Sequence, residues 1–125
     1  MTRFFYLRDH AGHPVGVVAM RRESERVKTP DPEGGKPYEH GRTVVRVAMS
    51  VCAPVDRFVR HVGIARAVGR LDSATQSTTA DTLSEAVVMV FGVHPRCDID
   101  TRRANATFDA QRERLLRDSA PKDDT

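Results

Sequence analysis

Apolar and polar side chains alternate over residues 42–52, so that Thr43, Val45, Val47, Met49 and Val51 fall on one face and Val44, Arg46, Ala48, Ser50 and Cys52 on the other. A period of two over that length predicts a β-strand with one strongly buried face. Upstream, residues 4–8 and 15–21 are apolar runs rich in aromatic and β-branched side chains. The cluster Asp9-His10-Ala11-Gly12-His13-Pro14 between them is turn-forming, and together they predict a β-hairpin. Residues 22–41 are charged and carry Pro30, Pro32, Pro37 and the pair Gly34-Gly35, which predicts a long flexible loop.

After the strand, Pro54 suits the first turn of a helix and Asp56 the positive end of its dipole, giving a helix over 55–70. At helical spacing Val55, Phe58, Val59, Val62, Ala65 and Gly69 share an arc that would pack on the sheet. Residues 71–81 read as a Ser/Thr-rich linker. Residues 83–93 carry two signals. The start Asp81-Thr-Leu-Ser-Glu is helical in character, while Ala86-Val-Val-Met-Val-Phe resembles a buried strand, and a strand over 87–91 is the expectation. A helix over 101–117 would turn Ala104, Phe108 and Leu115 or Leu116 inward, and 119–125 would be a disordered tail. The order β-β-β-α-β-α over 1–118 gives a single α+β domain. It predicts a mainly antiparallel sheet of about four strands with two helices packed on one face.

A chain of 125 residues can bury an ordinary core without disulfides or metal. It has no Trp, so that core must rest on Val, Ala, Leu and Met. The formal net charge is +3, and Lys occurs only at Lys28, Lys36 and Lys122, so the basic set is almost all Arg. The guanidinium fork suits phosphate and carboxylate, although a GC-rich genome produces the same bias. Cys52 and Cys97 match no redox motif, which points to a reducing compartment. No apolar run reaches the roughly 18–20 residues of a membrane span, and the apolar run at the amino end is too short for a signal peptide. The expected location is the cytoplasm, that of the host cell if the chain is phage-encoded, with no membrane partner.

The arginines of the 55–70 helix change the picture most. Gly63 and Gly69 each cost a helix about 1 kcal/mol relative to Ala, which close approach of another backbone or of a ligand would explain. Arg66 and Arg70 stand four apart on one edge of the apolar arc. In one reading their stems cover the core edge and their heads pair with carboxylates such as Asp72. In the other, Arg57, Arg60, Arg66 and Arg70 meet an external anion, either a phosphate backbone or an acidic protein face. Phe4 and Tyr6 share a strand face and serve either as core or as a platform for stacked bases.

The segment Cys-Ala-Pro-Val-Asp-Arg-Phe-Val-Arg-His-Val-Gly-Ile-Ala-Arg-Ala-Val-Gly-Arg-Leu at 52–71 resembles small uncharacterised phage and prophage proteins. In those a strand leads into Asp-x-Phe-x-Arg-x-x-Gly and then Ala-x-Gly-Arg. The matching residues are Asp56, Phe58, Arg60, Gly63, Ala67, Gly69 and Arg70, a small part of the chain. The resemblance implies a phage-like origin and carries no known activity.

His10-x-x-His13 and His94-x-x-Cys97 have ligand-like spacing and would make a zinc site if the two loops met. A polar hairpin turn accounts for the first pair, and a proline ending a strand accounts for the second, so no metal or cofactor is expected. Asp9, His10, His13, His40, Asp98 and Asp100 are the candidates for acid–base chemistry. There is no phosphate-binding glycine loop, nucleophile elbow or His-Glu-x-x-His. The function expected first is a phage-like accessory protein that binds nucleic acid in a regulatory role through the basic helix. The alternatives are a host-modulating protein that binds and inhibits a host protein, and a small His-dependent nuclease. Self-association through a sheet edge stays open.

Overall fold

The computed structural model of the chain describes residues 1–53, 55–91 and 98–118. Pro54, the His94-x-x-Cys97 pair and the tail expected over 119–125 lie outside them. Strands β1 (Thr2–Arg8), β2 (Pro14–Thr29), β3 (Tyr38–Val51) and β4 (Thr78–Thr79) form one sheet in sequence order, every neighbouring pair antiparallel. Three helices accompany it: α1 (Arg60–Leu71), α2 (Leu83–Phe91) and α3 (Thr101–Asp118). The expected antiparallel α+β architecture is the observed one.

The β1–β2 turn forms where the sequence marks it. Gly12 adopts φ 88°, a conformation that a Cβ would strain. Its N–H donates to the Asp9 carbonyl at 2.9 Å, and the His13 N–H donates to the Asp9 carboxylate at 2.8 Å. Register then places Phe5 beside Val18 and Val18 beside Met49. That face, with Leu7, Met20 and Val47, buries against Leu83 and Ala86 of α2 and Ala104, Phe108 and Leu115 of α3. Phe108 is fully enclosed, a burial worth about 1.5–3 kcal/mol.

Two helices do share one face, but they are α2 and α3. The helix expected at 55–70 lies across the opposite face as α1, so β3 is buried on both sides rather than on one. The second face is built of small residues, Val17, Ala19 and Ala48, against Ala67 and Leu71 of α1. The buried stripe of α1 is Gly63, Ala67 and Leu71, not the arc through Val62, Ala65 and Gly69. The helix also begins later than expected. Val59 is its extended N-cap, and the Asp56 N–H closes a turn on the Ala53 carbonyl at 2.9 Å instead of entering the helix. Gly63 does mark a close approach, because a Cβ there would stand 3.0 Å from Val17 Cγ2 and 3.2 Å from Phe58 Cε2. Gly69 does not, since a Cβ there would meet nothing within 4 Å.

Two further expectations are corrected. The flexible loop predicted over 22–41 is mostly a two-stranded ribbon, with β2 running to Thr29 and β3 starting at Tyr38. The prolines sit only in its connecting turn, and cross-strand pairs such as Arg42 with Glu25 at 3.1 Å support a ladder that has no apolar face. The strand predicted over 87–91 is instead part of α2. There the Glu85 N–H donates to Thr82 Oγ1 at 3.1 Å, and the Glu85 carboxylate accepts from the Asp81 N–H at 3.3 Å. This reciprocal cap outweighs the β-branched run that follows. The fourth strand is the short β4, inside the expected linker over 71–81.

Where the ribbon leaves the core, Glu23 bridges two arginines, at 2.6 Å to Arg46 and 2.8 Å to Arg21. Arg21 also holds Asp72 at 2.7 Å, and Arg46 donates to Ser77 at 3.1 Å. Partial burial pushes the Glu23 carboxyl up, but hydrogen bonds from Arg46 and Arg21 outweigh it and hold the group below its ordinary value of 4.5.

Gly63→Ala should lower stability by about 1 kcal/mol, because overpacking against the buried Val17 exceeds the helix gain of about 1 kcal/mol. Gly69→Ala should raise stability by about 0.5–1 kcal/mol, both read by urea denaturation. A depressed Glu23 pKa contributes stability above its unfolded value of 4.5 and loses it as the pH falls through the folded value. Thermal melts between about pH 5 and pH 3 should therefore fall more steeply for the wild type than for Glu23→Gln.

Candidate functional site

At the end of β3 the chain curls back before entering α1. The Cys52 N–H donates to the Val15 carbonyl at 2.8 Å, and the Cys52 thiol donates to the Asp56 carbonyl at 3.3 Å. Phe58 then tucks under α1 and meets Tyr6 edge-on, with ring centroids 6.1 Å apart. The result is a lip over residues 52–53 and 55–59 with a concavity on either side.

The first concavity, about 330 Å³, lies between the lip and α1 and is lined by Ser50, Arg57, Phe58, Val62, Gly63 and Arg66 among others. The second, about 460 Å³, lies between the lip and the β1–β2 turn and includes Asp9, His10 and Asp98. Cys52, Ala53, Asp56 and Phe58 line both.

The four candidate arginines do not act together. Arg57 and Arg66 are both exposed and line the first concavity. Arg60 lies over the Tyr6 ring, its guanidinium carbon 5.7 Å from the centroid, with Arg8 at 5.9 Å. Tyr6 is thus occupied by the protein's own cations and is not the open base platform considered from the sequence. Arg70 turns inward and donates to the Met49 carbonyl at 3.0 Å, on the edge of β3 that the short β4 leaves uncovered. Arg70 does not pair with Asp72, which Arg21 holds instead.

Several of the chain's cations are answered by its own carboxylates. Arg21, Arg26, Arg42, Arg46, Arg112 and Arg117 each pair with a carboxylate. α1 contains no acidic residue. Among the described residues, neither Arg57 nor Arg66 has a hydrogen-bond or ion-pair partner.

The loop histidines separate. His10 meets Asp98 at 3.1 Å, and His13 meets Asp9 at 3.6 Å. The backbone N–H of His13 is the main reason that the Asp9 carboxyl is held below its ordinary value. His40 stands on the ribbon against the Tyr38 ring, 5.8 Å between centroids. Asp100 caps α3, accepting from the Arg103 N–H at 3.1 Å. Among the described residues no group of three or more His, Cys, Asp or Glu is placed to hold a metal. No helix among them is long and apolar enough to cross a membrane. The sequence reading missed Ser50, Cys52 and Asp56 as lining residues. Their signal was the Cys-Ala-Pro-Val-Asp corner, which breaks the strand without starting the helix.

Compared with protein-family models, with curated proteins and with solved structures, the chain finds no match.

Truncation should separate the arginines. Arg70→Ala removes a charged donor from a carbonyl at the sheet edge and should cost about 1–3 kcal/mol in denaturant unfolding. Arg57→Ala and Arg66→Ala should stay within about 0.5 kcal/mol of the wild type.

Proposed function

We propose that the protein is a small phage-like accessory protein that binds nucleic acid, in a regulatory role, through the arginine side of α1. The observation that carries this reading is the pair Arg57 and Arg66. Arg66 on α1, a helix without an acidic residue, and Arg57 on the segment before it line one concavity, and neither is held by a protein carboxylate although the exposed Asp56 lines the same hollow. An arginine without a protein carboxylate is ready to take a phosphate as a bidentate partner. Arg60 over Tyr6 and the inward-turned Arg70 hold the helix in place and are not counted as ligand contacts.

A second reading has its own observation. Val59, an exposed apolar residue, lines the same concavity as the two arginines, and Val55, two positions before Arg57 in the chain, is 92% exposed. Exposed apolar side chains near two cations also suit an acidic host protein that this chain would bind and inhibit.

Fluorescence anisotropy with labelled DNA and RNA, at low and near-physiological salt, tests the first reading. Binding should fall with salt, and the Arg57→Ala/Arg66→Ala variant should bind more weakly while melting like the wild type. For single strands its salt slope should be shallower by about 1.4, the loss of two phosphate contacts. Absence of binding at low salt would overturn the nucleic-acid reading and leave the host protein as the partner to seek.

A further inference from the structure

We infer that the strand held by this site is single-stranded, and that one of its bases enters the concavity beside Phe58. The inference rests on the nucleic-acid reading above and narrows it.

The outward crest of α1 is the first reason. A helix that reads duplex DNA sends long polar side chains from its crest to base edges in the major groove. The exposed crest of α1 carries His61, Ala65 and Gly69, the last two too short to reach a base edge. The unpartnered guanidinium groups of Arg57 and Arg66 lie to the side, over a hollow instead of a ridge.

The hollow is the second reason. Its volume of about 330 Å³, and the adjoining one of about 460 Å³, are those of pockets that take a small organic group. In a duplex the bases are stacked and paired, so nothing from it enters such a hollow without being extruded, at a cost of a few kcal/mol. An unpaired strand offers free bases next to its phosphates.

The third reason is the wall. Phe58 lines both concavities and is only half-buried, while its neighbour Tyr6 is already covered by Arg8 and Arg60. Phe58, with Val59 and Val62 beside it, is the apolar surface on which a base can lie while Arg57 and Arg66 hold the flanking phosphates. Ser50 and the exposed Asp56 supply polar edges to the same hollow.

The test uses the intact protein and three labelled probes of equal length, in DNA and RNA forms: a mixed-sequence single strand, the blunt duplex, and a single strand with abasic sites throughout its centre. The single strand should bind at least about tenfold more tightly than the duplex. The abasic strand, with the same number of phosphates, should lose about 5–150-fold, the range for one stacked base. Phe58→Leu, if its melting temperature holds, should reproduce the abasic loss on the intact strand. Duplex binding as tight as single-strand binding would overturn the inference, and so would an abasic strand that binds like the intact one. In both cases nucleic-acid binding itself would stand. If none of the three probes binds at low salt, it is the broader nucleic-acid reading that fails.

Discussion

The contact between Gly63 of α1 and Val17 of β2 is the constraint on which the rest of this molecule depends. A glycine at that point lets the helix backbone come down onto a sheet face made of Val17, Ala19 and Ala48. Phe58 is caught in the same contact, against Gly63 on one side and Tyr6 on the other. With Phe58 fixed, the lip it belongs to is fixed too, and with it the hollow that Arg57 and Arg66 line. A larger residue at 63 would lift the helix and alter the depth of that hollow. The opposite face obeys the reverse rule. Phe5, Met20 and Met49 project farther and are filled in by α2 and α3 around the enclosed Phe108.

Arginine does three kinds of work within one short stretch. Arg60 sets its guanidinium charge over an aromatic ring. Arg70 uses a guanidinium N–H to cover a carbonyl on a sheet edge, where unpaired backbone would otherwise invite another strand. Arg57 and Arg66 use neither within the protein. This division follows from position. Arg60 begins the helix directly above the β1 edge, and Arg70 ends it beside β3. Arg66 faces the hollow, and Arg57 precedes the helix on the lip. Sequence spacing grouped Arg66 with Arg70, four apart, yet the geometry groups Arg66 with Arg57.

Much of the fold was legible from pattern alone. The β1–β2 hairpin and the core half of β3 show alternation or apolar runs of strand length. α3 has the helical spacing of Ala104, Phe108 and Leu115, and it buries those three. What escaped has specific causes. The outer ribbon has no buried face, so its register rests on ion pairs between residues such as Arg26 and Glu39, and no hydrophobic period reports them. α2 was hidden because its β-branched run mimics a buried strand, while its true signal was the Thr82-x-x-Glu85 cap at the start. The buried stripe of α1 was misplaced because Gly63 and Ala67 are small. A pattern search looks for bulky apolar residues, whereas a helix seated closely on a sheet buries small ones. The candidate site was half legible for the same reason. The arginines were visible, but which of them point inward depends on the rotation of the helix.

The residues that carry the phage-like pattern can now be weighed by what they touch. Asp56 closes the lip turn, Phe58 wedges beneath the helix and Arg60 covers Tyr6. Gly63 and Ala67 form the seat, and Arg70 covers the β3 edge. Gly69 alone meets nothing. The pattern therefore specifies how a helix sits on a sheet and where a hollow opens beside it. Arg57 and Arg66, the two arginines without a protein partner that line the hollow, fall outside the pattern. In this chain the pattern residues shape the hollow, and Arg57 and Arg66 set the positive charge it presents beside Asp56. That is why the binding reading rests on those two residues and not on the resemblance.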